Sequence, residues 1–298
     1  MENHPFISII FPVKNEGIHV KTTLDSLFSA KTDQLFEAIV VDDASVDDCC
    51  DFLQTFRHKN RIKLLLTDGI GAANARNLGA EHARGDYLVF CDAHLEFEDW
   101  WLDRIIRPLI EGETNAVTPA IGAIGNPEFI GYGQTLWSNP KNNSNLRTHW
   151  NQYHHEMFDT AVLPGGCFAI EREVFEKLGG FETGFKTWGH EDVEFSIKLW
   201  LFGYRGSVLP DVKVLHLFRK QQPYHVSMDE YYYNLLRMAY LHFSPDRIQK
   251  CKKMIVKGNA EDIEQQVLRD GVSMTRERYL RKRKFDDDWY FRKFTIDY

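Results

Sequence analysis

The first hundred residues alternate between short apolar runs and amphipathic helical patterns, which limits the chain to few folds. The apolar runs cover residues 7–13, 38–41, 63–66 and 87–91. Between the first two runs, apolar residues recur at helical spacing from Val20 to Phe28, as in a helix with one buried face. Unbroken apolar runs indicate strands that are buried on both faces. The alternation therefore predicts an α/β fold with a mostly parallel sheet flanked by helices.

The composition argues against some classes of function. The 298 residues include 36 lysines and arginines and 43 aspartates and glutamates, which gives a net charge of −7. We therefore expect no nucleic-acid partner and no binding to anionic membranes. The sequence shows neither a signal-peptide pattern nor an apolar stretch near the ~20 residues of an integral membrane segment. The five cysteines lack zinc-site spacing and are typical of reduced thiols, so we expect a cytoplasmic location.

Acidic residues follow two of the predicted strands. Asp42 and Asp43 end the second strand, and Asp92 comes directly after the fourth. Ligands of open α/β sheets bind at the carboxyl ends of the strands, so these residues are candidates for a binding site. Ser45 with the nearby aspartates 47 and 48 predicts a capped helix start immediately after the second strand.

Three residues form a candidate metal site. Asp92 and His94 are two positions apart at a strand end, so their side chains point to the same side of the sheet. His216 lies in an apolar, strand-like segment and either supplies a third ligand or is a hydrogen-bonded core histidine. Three ligands would leave coordination positions open for diphosphate oxygens. Imidazole ligands favour Mn²⁺ over Mg²⁺.

A second candidate region is residues 188–192, Trp-Gly-His-Glu-Asp, which precede a helical pattern. Glu191 and Asp192 would lie in the first turn of that helix. They either complement the helix dipole or include a base that accepts a proton from a nucleophile. Gly165 and Gly166 would allow the backbone to approach a ligand closely.

The rest of the chain divides into an irregular segment and a helical tail. Regular patterning fades from about 123 to 160, which predicts a binding loop or lid. Its sequon at 142–144 is interpreted as a chance match. Four aromatic residues are candidates for a sugar or peptide platform or for core packing: Trp137, Trp150, Tyr153 and Tyr224. After residue 225 the pattern is helical, so we predict a domain at 1–225 and a helical extension at 226–298.

The motifs together resemble known families. Residues 8–16, 40–45 and 71–77 resemble glycosyltransferase family 2. Residues 92–94, 165–170, 188–191 and 214–220 are similar to motifs of the polypeptide N-acetylgalactosaminyltransferases. The resemblance covers roughly residues 6–220. It implies the GT-A (Rossmann-like) fold and metal-dependent transfer of a hexose or N-acetylhexosamine. The donor would be a UDP-sugar, and the acceptor a peptide, protein or glycan.

The resemblance also implies roles for individual residues. The expected donor contacts are Pro12, Val13, Asn15, Glu16, Asp42, Asp43, Arg76, Asp92, Gly165, Gly166 and Trp188. Either Asp42 or Asp43 would accept a hydrogen bond from the uracil N–H. Asp92, His94 and His216 would bind Mn²⁺ or Mg²⁺, and Trp188 would close over the site.

Two departures from the peptide-modifying family change these expectations. That family has Asn after the Glu of its Trp-Gly-Gly-Glu-Asn motif and retains anomeric configuration, whereas Asp192 follows Glu191 here, as in family 2. We therefore predict inversion with Asp192 as base. Its animal members carry a Golgi anchor and often a lectin domain; since neither is seen here, we expect a bacterial, cytoplasmic enzyme. Homo-oligomerisation through the C-terminal helices is a further expectation.

Three alternatives remain open at this point. A retaining peptide N-acetylgalactosaminyltransferase-like enzyme would use the same donor site. A non-catalytic nucleotide-sugar-binding protein would keep the metal ligands but need no base. A phosphate-ester hydrolase would require a second carboxylate cluster for a two-metal site.

Overall fold

The computed structural model describes residues 6–139 and 144–298. The strands of the described residues are β1 (Phe6–Val13), β2 (Leu35–Asp43), β3 (Ile62–Thr67), β4 (Tyr87–Cys91), β5 (Leu95–Phe97), β6 (Ala116–Ala123), β7 (Asn126–Tyr132), β8 (Gln134–Asn139), β9 (Ser144–Trp150), β10 (Phe158–Asp159), β11 (Cys167–Glu171) and β12 (Gly206–His216). The helices are α1 (His19–Ser29), α2 (Ala72–Glu81), α3 (Trp101–Ile110), α4 (Arg172–Leu178), α5 (Glu191–Leu201), α6 (Met228–His242), α7 (Pro245–Lys253), α8 (Ala260–Arg269), α9 (Val272–Lys282) and α10 (Asp287–Lys293).

One large mixed sheet organises the fold, in the order β10-β12-β6-β11-β4-β1-β2-β3. The strands β3, β2, β1 and β4 are parallel, as the sequence predicts. β11 runs antiparallel between β4 and β6, while β12 is parallel to β6. The carboxyl ends of β1, β2, β4 and β12 therefore meet at one edge of the sheet. The predicted α/β class with the GT-A fold is confirmed.

Helices cover both faces of the sheet. The side chain of Ile9 packs in a core with α1 and α3, and that of Ile10 packs in a core with α2, α4 and α5. Both side chains are fully buried, which explains why the strand sequence is continuously apolar. Helices α6 to α10 join the second core, with Leu236 and Phe243 fully buried there. The predicted helical tail thus packs on the sheet's own core, and the domain boundary at 225 stays a prediction.

Two local expectations are wrong. No helix starts at Ser45: its Oγ accepts a hydrogen bond from the backbone N–H of Asn15, and Asp47 accepts one from the N–H of Gly17. These side chains connect the β1–α1 loop to the β2 end instead of capping a helix. The described part of segment 123–160 is not irregular, because it contains β7, β8, β9 and β10. Positive-φ glycines lie at the turn from β6 to β7 (Gly125) and at the turn from β7 to β8 (Gly133), and such turns obscure the strand pattern in the sequence. Asn142 and Asn143 of the sequon lie outside the described residues.

Candidate active site

The carboxyl ends of β1, β2, β4 and β12 surround a cavity of about 330 Å³. Most of the sequence-predicted residues line it: Pro12, Val13, Glu16, Asp43, Arg76, Asp92, His94, Gly165, Gly166, Trp188, Asp192 and His216. Asn15, Asp42 and Glu191 do not line it. The parallel strands bring these residues together because each carries its functional residue at or just beyond its carboxyl end.

Asp92, His94 and His216 form a compact group whose ligand atoms lie within 4.8 Å of one another. The Nε2 atoms of His94 and His216 are 3.2 Å apart, and His216 Nε2 is 3.3 Å from Asp92 Oδ2. The pairing of β12 with β5 creates this proximity, since it sets His216 opposite Leu95. Two imidazole nitrogens and a carboxylate oxygen converging on one point fit a divalent ion such as Mn²⁺.

Glu16 supports the metal group from the β1–α1 loop. Its Oε2 lies 3.0 Å from His94 Nδ1, which favours the tautomer with a proton on Nδ1 and a free lone pair on Nε2. The same oxygen accepts a hydrogen bond from Arg219 at 2.5 Å. Burial alone would raise the pKa of Glu16, but the bonds to His94 and Arg219 outweigh burial and lower it. A carboxylate therefore lies between an imidazole ligand and a cation.

Arg76 is a buried cation that organises the carboxylates of the site. Its Nη2 lies 3.0 Å from Asp92 Oδ1, and its Nη1 lies 3.3 Å from Glu191 Oε1. Although burial raises the pKa of Asp92, the hydrogen bond from His216 and the charges of His94 and Arg76 keep that pKa below its usual range. Asp92 is therefore ionised and ready to bind a cation.

The two adjacent aspartates at the end of β2 have different surroundings. Asp43 is 4% exposed, lines the cavity, and accepts hydrogen bonds from the backbone N–H groups of Ile70 and Gly71. Asp42 instead accepts a hydrogen bond from the N–H of Ser45, within its own loop. Of the two aspartates considered for contact with uracil, Asp43 is therefore the one that lines the cavity. Asn15 likewise has a structural contact, as its Oδ1 accepts a hydrogen bond from Val46 N.

Glu191 and Asp192 begin α5 but differ in accessibility. Glu191 is 6% exposed and is held by Arg76 and by the N–H of Gly189. Asp192 lines the cavity, and its two oxygens accept one hydrogen bond each, from Gly165 N at 3.0 Å and Val193 N at 2.8 Å. Burial raises the pKa of both carboxyls. Each of the four carboxylate oxygens accepts one such hydrogen bond, so the two residues differ in position: Asp192 lines this cavity and can meet a ligand there, whereas Glu191 does not line it.

Gly165 and Gly166 lie where a side chain would press against neighbouring residues of the site. A Cβ at Gly166 would lie 3.2 Å from the His216 ring, and one at Gly165 would lie 3.3 Å from the Asp192 side chain. Both distances are tighter than ordinary van der Waals contact. The loop that carries Gly165 and Gly166 therefore passes directly against the metal-site residue His216 and against Asp192. This close approach is what the pair of glycines in the sequence predicts.

The sequence reasoning missed five polar residues of the cavity: Lys14, Gln134, Thr187, Arg219 and Gln222. Lys14 donates a hydrogen bond to Asp43 O at 2.9 Å. The signal for two of them was present, since Lys14 and Arg219 lie inside quoted motifs. Of the four candidate platform aromatics, Trp150 and Tyr224 line the cavity, whereas the others do not. Trp137 contacts His149, and Tyr153 contacts Tyr132.

Comparisons with known proteins bear on the family of this chain. The family described as glycosyl transferase family 2 matches residues 8–179, and the one described as N-terminal domain of galactosyltransferase matches residues 147–226. Polypeptide N-acetylgalactosaminyltransferase 8 of Drosophila melanogaster is 34% identical over 238 residues, 74% of this chain and 39% of that protein. Polypeptide N-acetylgalactosaminyltransferase 11 of Xenopus tropicalis is 30% identical over 256 residues, 80% of this chain and 42% of that protein.

Solved structures share the fold. GalNAc-T7 with UDP, GalNAc and Mn²⁺ superposes with a TM-score of 0.77 at 21% identity, covering 99% of this chain and 57% of that chain. S. aureus TarS 1–349 in complex with UDP-GlcNAc superposes with a TM-score of 0.58 at 18% identity, covering 91% and 74%. At these identities the likeness establishes the GT-A fold.

The relatives also bear on the expected origin. They are animal enzymes, which conflicts with the expectation of a bacterial, cytoplasmic protein, and the location stays a prediction. This chain spans less than half the length of these relatives. Among residues 6–139 and 144–298, no helix is long and apolar enough to cross a bilayer. With a family match over more than half of its residues, the chain belongs to glycosyltransferase family 2.

Proposed function

We propose that this chain transfers a hexose or N-acetylhexosamine from a UDP-sugar to a peptide, protein or glycan acceptor, with Mn²⁺ at Asp92, His94 and His216. The convergence of these three side chains beside Asp43 and Arg219 is the observation that carries the proposal. The cavity combines a carboxylate that can recognise a nucleobase, a site for a divalent ion and a cationic side chain. Binding of a nucleoside diphosphate uses all three. The curated relatives named N-acetylgalactosaminyltransferases make UDP-GalNAc the first donor to test.

The residues of the cavity would divide the work of binding the donor. Asp43 would accept a hydrogen bond from the uracil N–H, and Pro12 and Val13, which also line the cavity, would border the nucleotide. Arg219 and Lys14 would neutralise diphosphate oxygens. Gly165 and Gly166 would line the sugar, because a side chain at either position would fill that space. A bound divalent ion would stabilise the negative charge that develops on the leaving diphosphate.

Asp192 would act as the base of an inverting displacement. Its oxygens each keep a lone pair beyond the hydrogen bonds from Gly165 and Val193, and it lines the cavity. The acceptor atom would bond to the anomeric carbon while the bond to the diphosphate oxygen breaks. Its proton would pass to Asp192, and the electron pair of the broken bond would leave with UDP. Trp188 would limit water access and hence donor hydrolysis.

The direct test is Mn²⁺-dependent release of UDP from a panel of UDP-sugars. We expect one or more donors to turn over with Mn²⁺ and not with a chelator. Asp92→Asn, which leaves the metal group incomplete, is the matched inactive control. No release from any donor, with or without peptide and glycan acceptors, would favour a nucleotide-sugar-binding protein instead.

Product stereochemistry separates the two enzymatic alternatives. If Asp192 is the base of a single displacement, an α-linked donor gives a β-linked product, which NMR of the anomeric proton detects. Retention is the alternative that the sequence resemblance to the polypeptide N-acetylgalactosaminyltransferases implies. An α-linked product would establish retention and refute the role of Asp192 as inverting base.

A further inference from the structure

The loop that carries Trp188 is held by helix α6, which begins just after the residues that the two family models match, 8–179 and 147–226. Asn234 of α6 is fully buried and contacts the loop backbone at three residues. Its Oδ1 accepts a hydrogen bond from Lys186 N at 2.7 Å. Its Nδ2 donates to Gly189 O at 3.0 Å and to Trp188 O at 3.3 Å. One amide side chain therefore fixes both ends of the turn on which Trp188 lies.

Two neighbouring residues of α6 add to this contact. Glu230, one helical turn before Asn234, accepts a hydrogen bond from Thr187 Oγ1 at 2.7 Å. The Tyr231 ring packs on His190, with ring centroids 4.4 Å apart. It also fills the space beside Gly189, where a Cβ would lie 2.7 Å from Tyr231 Cδ2. The N-terminal half of α6 thus contacts every residue between Lys186 and His190.

The loop needs such support because its backbone is unusual. Gly189 has φ of 105° and His190 has φ of 67°, two consecutive residues in the left-handed half of conformational space. A non-glycine residue adopts this conformation only when its surroundings enforce it. The next two residues are Glu191 and Asp192, so a change in the loop would also move the start of α5.

Helix α6 is itself fixed by buried ion pairs. Arg237 donates two hydrogen bonds to Glu182 Oε1, at 2.7 and 3.0 Å, and both side chains are less than 5% exposed. Glu182 lies in the segment that leads into the Trp188 loop. Paired hydrogen bonds between a guanidinium and a carboxylate restrict relative movement more than a single contact does. A rigid helix is therefore in place to hold the loop.

We propose that Asn234 is a positioning residue that sets the Trp188 loop against the donor sugar, so that the C-terminal helices form part of the active site. The kinetic part of this inference rests on the proposed function. Asn234 acts through the loop backbone, because its amide forms hydrogen bonds with backbone atoms of Lys186, Trp188 and Gly189. Its loss would allow the loop to open, which would expose the donor to water and misplace Asp192 while leaving the uridine end of the cavity intact.

The test compares Asn234→Ala with wild type and with Asn115→Ala. Asn115 also joins two segments through its amide, by bonds of 3.0 Å with Glu171 and Arg205 N, but at the opposite end of the sheet. We expect amide hydrogen exchange of residues 186–190 to rise at least tenfold in Asn234→Ala. We expect the ratio of sugar transfer to donor hydrolysis to fall at least fivefold. The affinity for UDP should stay within twofold of wild type. Asn115→Ala should leave the hydrogen exchange of residues 186–190 and the ratio of transfer to hydrolysis unchanged.

A second variant and the exchange measurement keep the proposal testable. Asn234→Asp keeps the shape and the acceptor for Lys186 N but loses the three bonds that Nδ2 donates, including one to Lys186 O at 3.4 Å. It should therefore loosen the loop similarly if Asn234→Ala does not fold. An amide hydrogen-exchange rate of residues 186–190 within threefold of wild type would overturn the proposal. A loss of UDP affinity as large as the loss of transfer activity would overturn it as well. Because exchange needs no turnover, a failure of the proposed function is seen separately, as absent turnover in the wild type.

Discussion

The Nε2 atoms of His94 and His216 lie 3.2 Å apart although 122 residues separate them in the chain. Leu217 N, next to His216, donates a hydrogen bond to His94 O, so the two segments are joined by backbone as well. With Glu16 favouring a proton on His94 Nδ1, the His94 Nε2 lone pair points toward His216. A cation between the two rings and Asp92 would satisfy this arrangement.

Replacing His216 tests the metal site directly. His216→Ala removes one of three ligands, so we expect Mn²⁺ affinity to fall by more than the about 10–100-fold that loss of a supporting contact costs. Titration calorimetry with Mn²⁺ measures the affinity, and UDP release measures the consequence. His149→Ala is the control, because His149 contacts Trp137 outside the cavity. Wild-type Mn²⁺ affinity in His216→Ala would remove His216 from the ligand set.

Glu16 is expected to act on the metal through His94. Glu16→Gln keeps a hydrogen-bond acceptor but loses the negative charge beside His94 and Arg219, so Mn²⁺ affinity should fall about 10–100-fold. The matched control is Glu37→Gln, since Glu37 is as buried as Glu16 but binds Ser8 and Arg84 at the other end of β1. Equal Mn²⁺ affinity in the two variants would mean that Glu16 has no such role.

The raised pKa of Asp192 predicts how the rate of sugar transfer depends on pH. A base acts only when deprotonated, and burial raises the pKa of Asp192 above its usual value. Activity should therefore increase with pH, with a midpoint above the ordinary pKa of an aspartate. Asp192→Asn should bind the donor normally and lose transfer by about 10²–10⁴-fold, with this pH limb abolished. Transfer at the wild-type rate in Asp192→Asn would refute the assignment.

A buried ion pair within α5, between Lys198 and Glu194, predicts a large effect on stability. Lys198 is fully buried, and its Nζ donates to Gly180 O at 2.7 Å and to Glu194 Oε2 at 3.2 Å. Lys198→Met would leave Glu194 without its cation, so the free energy of unfolding should fall by about 3–5 kcal/mol. Chemical denaturation measures this change.

The control for that effect is an exposed ion pair of the same type. Lys177 and Glu173 form such a pair on α4 with side chains 53% and 73% exposed, so Lys177→Met should change stability by less than about 1 kcal/mol. A loss below about 1 kcal/mol in Lys198→Met as well would show that the buried pair contributes no more than the surface pair.

The hydrophobic pattern of the sequence is enough to predict strands β1 to β4 and helix α1, and it places Asp43 and Asp92 at strand ends. Hydrophobic periodicity depends on neighbouring residues, so it can be read locally. The same reasoning failed at Ser45 and between 123 and 160, where positive-φ turns and contacts with distant loops outweigh local pattern.

Which of these residues meet depends on the packing of the whole fold. The pairing of β12 with β5 joins His216 to His94, and the fold brings Arg219 to Glu16, 203 residues away. It also separated Asp43 from Asp42, and Asp192 from Glu191, because adjacent side chains differ in which one faces the cavity. Strand order and helix packing are set by contacts across the whole chain, and no local pattern specifies them.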